Sequence, residues 1–125
     1  MDAIIAHARE AAPNECCGLL VGAGGRIDES VRTRNLEEGP TRYQVDPAEH
    51  IALARALRGT PRQIVGTYHS HPSSEAVPSP SDVAEAFYPD FVYLIVSLVH
   101  PSSPEIRGYR IASGNFAAIP LVPVP

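Results

Sequence analysis

The run Phe91 to Val99 constrains the fold more than any other segment, because it is almost entirely apolar. A strand with one face in water alternates apolar and polar residues. From Phe91 to Ser97 this one does not, so both of its faces must be covered. The run is far shorter than the roughly 20 apolar residues that a membrane-spanning helix needs. The chain must therefore build a sheet with this segment inside it and pack further layers on both sides.

The flanking segments supply those layers. Asp2 to Ala12 has a helical pattern that Pro13-Asn14 breaks, and a β-like run follows from Cys16 to Gly22. The glycine-rich turn Gly22 to Gly25 leads into the alternating stretch Arg26 to Arg34, which predicts a hairpin. Asp46, Pro47 and Glu49 form a helix start, with an N-cap acid, proline at the first position and an acid at the third. Gly59 ends that helix, and Ile51, Leu53, Ala54 and Leu57 make one apolar stripe predicted to face the core. Gln63 to His71 reads as a strand, and Pro78 to Tyr88 as a loop passing into a short helix that Pro89-Asp90 closes. Glu105 to Ile111 is a further strand. With 125 residues, the chain has the length of one domain, residues 1–125, with an extended proline-rich tail from about residue 119.

Composition removes several function classes. A formal charge of -4 offers no basic surface for nucleic acid or an anionic membrane. The N-terminus has an acid at its second position and no apolar stretch of secretory length. Cys16 and Cys17 are neighbours and cannot close a useful loop, so reduced, buried thiols and a soluble cytoplasmic protein are expected.

The chemistry concentrates between Thr67 and Asp82. Residues two apart on a strand share a face, so His69 and His71 can aim both imidazoles at one point, and Asp82 falls in the first turn of the next helix. Two imidazoles and one carboxylate leave a fourth tetrahedral position open, which is the arrangement of a catalytic zinc site. Ser79-Pro80-Ser81-Asp82 is also simply a good helix start, and the same rigidity would orient a ligand. Glu15, directly after the Pro13-Asn14 turn, is the candidate general acid and base, expected to overhang a sheet edge without being buried. Ser79 is placed to donate a hydrogen bond to an oxyanion. Strand alternation turns Tyr68 and Ser70 away from the metal. His7, His50 and His100 have no partner at ligand spacing and read as surface residues.

His69-x-His71, then Ser79, then Asp82 resembles the JAMM motif of the MPN+ metalloproteases, and Pro13-x-Glu15-Cys16-Cys17-Gly18-Leu19-Leu20 is similar to the stretch that carries that family's catalytic glutamate. Tyr43 to Pro47, Val65-Gly66 and Tyr88-Pro89-Asp90 match as well, so the likeness runs from about Ala6 to Ile111. It implies zinc on His69, His71 and Asp82, acid-base action at Glu15 and oxyanion support at Ser79. It also implies an α/β/α sandwich around a mixed, largely antiparallel sheet of the cytidine-deaminase-like kind. The short prokaryotic Mec+ members are nearest in look. These imply an enzyme, a zinc-dependent peptidase or isopeptidase that cuts after the C-terminal glycine of a ubiquitin-like sulfur-carrier protein or its conjugate. A non-catalytic MPN scaffold is the alternative, and such modules lack the ligands present here. A zinc deaminase would need His-x-Glu and Pro-Cys-x-x-Cys, and the sequence has neither.

Overall fold

The structure is a computed structural model and describes residues 1–123. Helix α1 (Asp2–Ala11) precedes the hairpin β1 (Cys17–Ala23) and β2 (Arg26–Thr33). Helix α2 (Pro47–Leu57), strand β3 (Gln63–His71), the short α3 (Pro80–Ala84) and strands β4 (Val92–Ser97), β5 (Glu105–Ala112) and β6 (Asn115–Ile119) follow. One six-stranded sheet results, in the order β2-β1-β3-β4-β5-β6. Only β3 and β4 run parallel, and every other pairing is antiparallel. The apolar run of β4 thus lies inside the sheet, as its two covered faces require.

Alternation sorts the core into two layers. On one face Leu20, Tyr68, Leu94 and Val96 pack with Ile4 and Ala8 of α1. On the other, Tyr93, Ile95, Tyr109 and Ile111 pack with Ala76, and Val83, Ala86 and Phe91 close over them. Helix α2 lies on this second side, with His50 against Tyr88 and Phe91. The result is the expected α/β/α sandwich with a mixed, largely antiparallel sheet. Among the described residues, no helix is long and apolar enough to cross a membrane.

One expectation needs correction, and one strand lies where no element was expected. The apolar stripe of α2 does not enter the core: no residue of the helix is buried, Ile51 is 54% exposed, and Leu53 and Leu57 are only half-buried. The sheet face it was expected to cover is already occupied by Ala76, Val83, Ala86 and Phe91. The chain after Ile111 also holds a strand that the proline-rich tail obscured. Ser113 and Gly114 make a turn with positive φ at both positions, 54° and 77°, and return the chain as β6 along β5. Residues 120–123 carry no regular structure, and the remainder of the expected tail, residues 124–125, lies outside the described residues.

The parallel pair that carries the histidine strand depends on a close backbone approach at Gly66. This residue sits opposite Val92, and a Cβ added there would overlap the Val92 carbonyl oxygen and stand 2.9 Å from its carbonyl carbon. Neither atom belongs to a flexible side chain. Gly66→Ala is therefore expected to cost about 2–3 kcal/mol and to lower Tm by about 10 °C, read by thermal unfolding. An unchanged Tm would show that β3 and β4 can part without loss.

Candidate active site

The site lies where β3 ends. His69 and His71 share the face of the sheet that also carries Cys17, Leu19 and Thr67, because the register sets Cys17 opposite His69 and Leu19 opposite Thr67. The chain then turns back through Pro72 to Pro78, and α3 opens with a capping box. The Asp82 N–H donates to the Ser79 hydroxyl oxygen at 3.1 Å, and the Ser79 N–H donates to Asp82 Oδ2 at 2.9 Å. That reciprocal pair fixes the carboxylate where the two histidines point.

Three ligand atoms converge there. His69 Nε2 and His71 Nε2 are 3.2 Å apart, and they lie 3.1 and 3.0 Å from Asp82 Oδ2. Ligand atoms held at zinc distances in a tetrahedron stand about 3.3–3.4 Å from one another, so the spacing suits one small cation. All three residues are buried. His71 Nδ1 lies 2.7 Å from the Glu75 carbonyl, which can only accept. That bond holds a proton on Nδ1 and leaves Nε2 facing Asp82, to which it donates when protonated and beside which it offers a lone pair to a cation when neutral. His69 is held differently: the Tyr43 ring stacks on it at 4.1 Å between centroids and 13° between planes, while its Nδ1 has no partner among the described residues.

The charges are distributed accordingly. Burial works against a charged Asp82, but the bonds from His69 and His71 outweigh it and hold the carboxyl far below the usual carboxylate range. Burial lowers the His69 pKa. For His71 burial acts in the same direction, yet the bonds to Asp82 and to the Glu75 carbonyl prevail and raise it.

Glu15 comes to this cluster through strand pairing. The Ser70 N–H donates to the Cys16 carbonyl at 3.1 Å, which continues the β1–β3 ladder one step beyond Cys17 and sets Glu15 opposite His71 on the same face. The expected exposure of Glu15 is wrong: it is only 5% exposed. The loop between β2 and α2 covers it, and the Glu15 N–H donates to the Gly39 carbonyl at 2.8 Å. Burial pushes its pKa up to about 8, partly offset by His71 and reinforced by Asp82. Its Oε1 has no hydrogen-bond partner among the described residues. Beside a possible metal site, this is a buried carboxyl with a raised pKa and an unpartnered oxygen, the surroundings in which proton-transfer groups are found. Ser79 is half-buried, its hydroxyl 3.1 Å from that of Ser81.

The remaining expectations sort cleanly. Ser70 faces away and accepts from the Cys16 N–H at 2.8 Å, and Tyr68 is buried in the α1 layer. Cys16 and Cys17 are free and buried, and burial raises both thiols, Cys17 to about 11. His100 is exposed, as expected, and His50 is half-buried. His7 is not a free surface group: it is half-buried with Nδ1 2.7 Å from the Tyr68 hydroxyl, because α1 lays it across the sheet there. The role of Tyr43 against His69 had no sequence signal beyond its place in the matched segment Tyr43 to Pro47, since it comes from a loop without periodicity.

A mixed sheet that delivers two imidazoles and a capped carboxylate to one buried point, with an acid alongside, defines a metallopeptidase of the JAMM class. The chain belongs to the family of prokaryotic homologues of the JAB domain, whose sequence model matches residues 1–112. It is 38% identical over 123 residues to the CysO-cysteine peptidase of Mycobacterium tuberculosis, covering 97% of this chain and 84% of that one. Against the desampylase of Haloferax volcanii it is 39% identical over 108 residues, 77% of this chain and 74% of the other. The solution structure of a Desulfitobacterium hafniense protein superposes with a TM-score of 0.87 at 33% identity, covering 98% of this chain and 86% of that one. The fold is that of JAB1/MPN domains.

Proposed function

We propose that this protein is a zinc-dependent peptidase that hydrolyses the amide bond following the C-terminal glycine of a ubiquitin-like sulfur-carrier protein or its conjugate. The observation that carries the reading is the convergence of three buried ligand atoms within 3.2 Å of one another beside a buried carboxylate that has no partner among the described residues. His69, His71 and Asp82 hold the metal. When bound, zinc supplies a Lewis acid for the carbonyl and the water. Glu15 takes the proton from the attacking water and returns it to the leaving amine. A cation at the three ligands favours the ionised form of Glu15, which its burial opposes. The Ser79 hydroxyl, held at the helix start, donates to the oxyanion. A non-catalytic scaffold has no use for three ligand atoms aimed at one buried point beside a carboxylate whose Oε1 lacks a partner among the described residues.

The relatives support the substrate class, since their names refer to a CysO-cysteine adduct and to desampylation. The test incubates the protein with ubiquitin-like carriers extended beyond their terminal glycine and follows mass. The expected result is cleavage after that glycine, lost with a chelator and restored by zinc. Intact carriers throughout, from protein that demonstrably holds one zinc ion, would sink the proposal.

A further inference from the structure

The loop between β2 and α2 is built around one side chain, Asn35, which uses both ends of its amide. Its Oδ1 accepts from the Glu37 N–H at 3.0 Å and the Gln44 N–H at 2.9 Å. Its Nδ2 donates to the Glu15 carbonyl at 3.0 Å and the Arg42 carbonyl at 3.3 Å. The four bonds join the two arms of the loop, also bridged between Asn35 and Val45 and through the Leu36 N–H to the Gln44 carbonyl at 3.0 Å. They tie that closed loop to the backbone of Glu15.

Glu15 is therefore gripped at both of its own peptide groups. Its carbonyl accepts from Asn35, and its N–H donates to Gly39 of the same loop. It lies just before β1, one residue past the Ser70–Cys16 bond that ends the ladder, so pairing sets its face while the bonds of its own N–H and carbonyl go to the loop. The same loop carries Tyr43 onto the His69 ring and is anchored at its far side by the Arg42–Glu85 ion pair at 2.9 Å. One substructure thus sets both the acid and a metal-ligating histidine.

Resting on the peptidase reading above, we infer that Asn35 is a positioning residue, whose four bonds hold the Glu15 carboxylate at its working distance from the reacting water. No hydroxyl or carboxylate can replace it, because the position needs two acceptor lone pairs and two N–H donors in one planar group. Displacing a catalytic group by about 1 Å costs on the order of 100-fold in rate.

The test uses Asn35→Asp, which keeps both accepting bonds of the loop but sets a carboxylate oxygen against the Glu15 and Arg42 carbonyls, with Asn35→Gln as a second variant. In the zinc-loaded enzyme, kcat of Asn35→Asp is expected to fall about 100-fold, with KM and zinc affinity, measured by chelator competition, within about threefold of the parent. Hydrogen exchange, which needs no substrate, is expected to accelerate at the Glu15 amide while the amides of β3 and β4 keep their protection. Unchanged exchange at Glu15 would overturn the inference even if no carrier is ever cleaved. So would accelerated exchange with undiminished kcat, or a loss of rate that tracks loss of zinc. If Asn35→Asp fails to fold, the same readings on Asn35→Gln decide. A wild-type enzyme without activity, but with Glu15 exchange dependent on Asn35, would instead refute the peptidase reading and leave the grip on Glu15 standing.

Discussion

Glu15→Gln is expected to lower kcat by about a thousandfold while the protein keeps its zinc and its fold. Glutamine has nearly the same shape as glutamate, so the covering loop and its bond from the Glu15 N–H to Gly39 are retained. What is lost is the ability to take and return a proton, and a positioned general acid-base contributes about 10²–10⁴-fold. The side chain is not among the three converging ligand atoms, so zinc content should stay at one per chain. KM should change little, because the loss lies in the transition state. Metal analysis beside single-turnover kinetics checks both halves. A variant with more than a tenth of the parent rate would remove Glu15 from the chemistry.

The same substitution carries a signature in stability. In metal-free protein burial raises the Glu15 pKa from 4.5 to about 8. Below about pH 4.5 both folded and unfolded chains hold that proton. Between pH 4.5 and 8 the unfolded chain releases it and the folded chain does not, so stability falls across this window as pH rises. Glutamine has no proton to release, so Glu15→Gln flattens this part of the profile and exceeds the parent in Tm above pH 8. The difference is a few kcal/mol at most. Parallel profiles in the two proteins would mean that Glu15 stays hydrated.

How much of this was legible in the sequence depends on the range of the forces involved. His69 and His71 were readable because strand alternation is local, and Asp82 because its helix start is written in Ser79 and Pro80. The covered faces of β4 were readable from apolar residues alone. Glu15 was found as a residue but misjudged in burial, since its cover comes from a loop about twenty positions later, whose closure rests on one asparagine. Helix α2 shows the opposite failure: its stripe has the right period, but the space beneath it was filled by residues from α3 and its flanks. Strand β6 hid because five residues ahead of a proline-rich end carry little pattern, although Ser113-Gly114 is a turn pair. Tyr43 and Asn35 act across loops, where no periodicity exists to be read.

Asp82 offers the sharpest separation of structural and chemical roles, because in the proposed mechanism one carboxylate serves both. Its Oδ2 accepts the Ser79 N–H that closes the capping box and also faces the two histidines. Asp82→Asn keeps an oxygen for the Ser79 N–H and the backbone bond to the Ser79 hydroxyl, but surrenders the negative charge. Asp82→Ala surrenders both the charge and the accepting oxygen. Both variants are expected to lose zinc by more than the 10–100-fold that a supporting residue of a metal site costs, and with it all measurable turnover. In metal-free protein Asp82→Ala should be less stable than Asp82→Asn by about 1 kcal/mol, the worth of a cap or one net hydrogen bond. Zinc gives the clearest readout. At a hundred times its dissociation constant, it is expected to stabilise the parent by about 2.7 kcal/mol, and this gain should vanish in both variants. A Tm of Asp82→Asn that rises with zinc as far as the parent's would place the ion elsewhere. The mechanism built on His69, His71 and Asp82 would then fall with it.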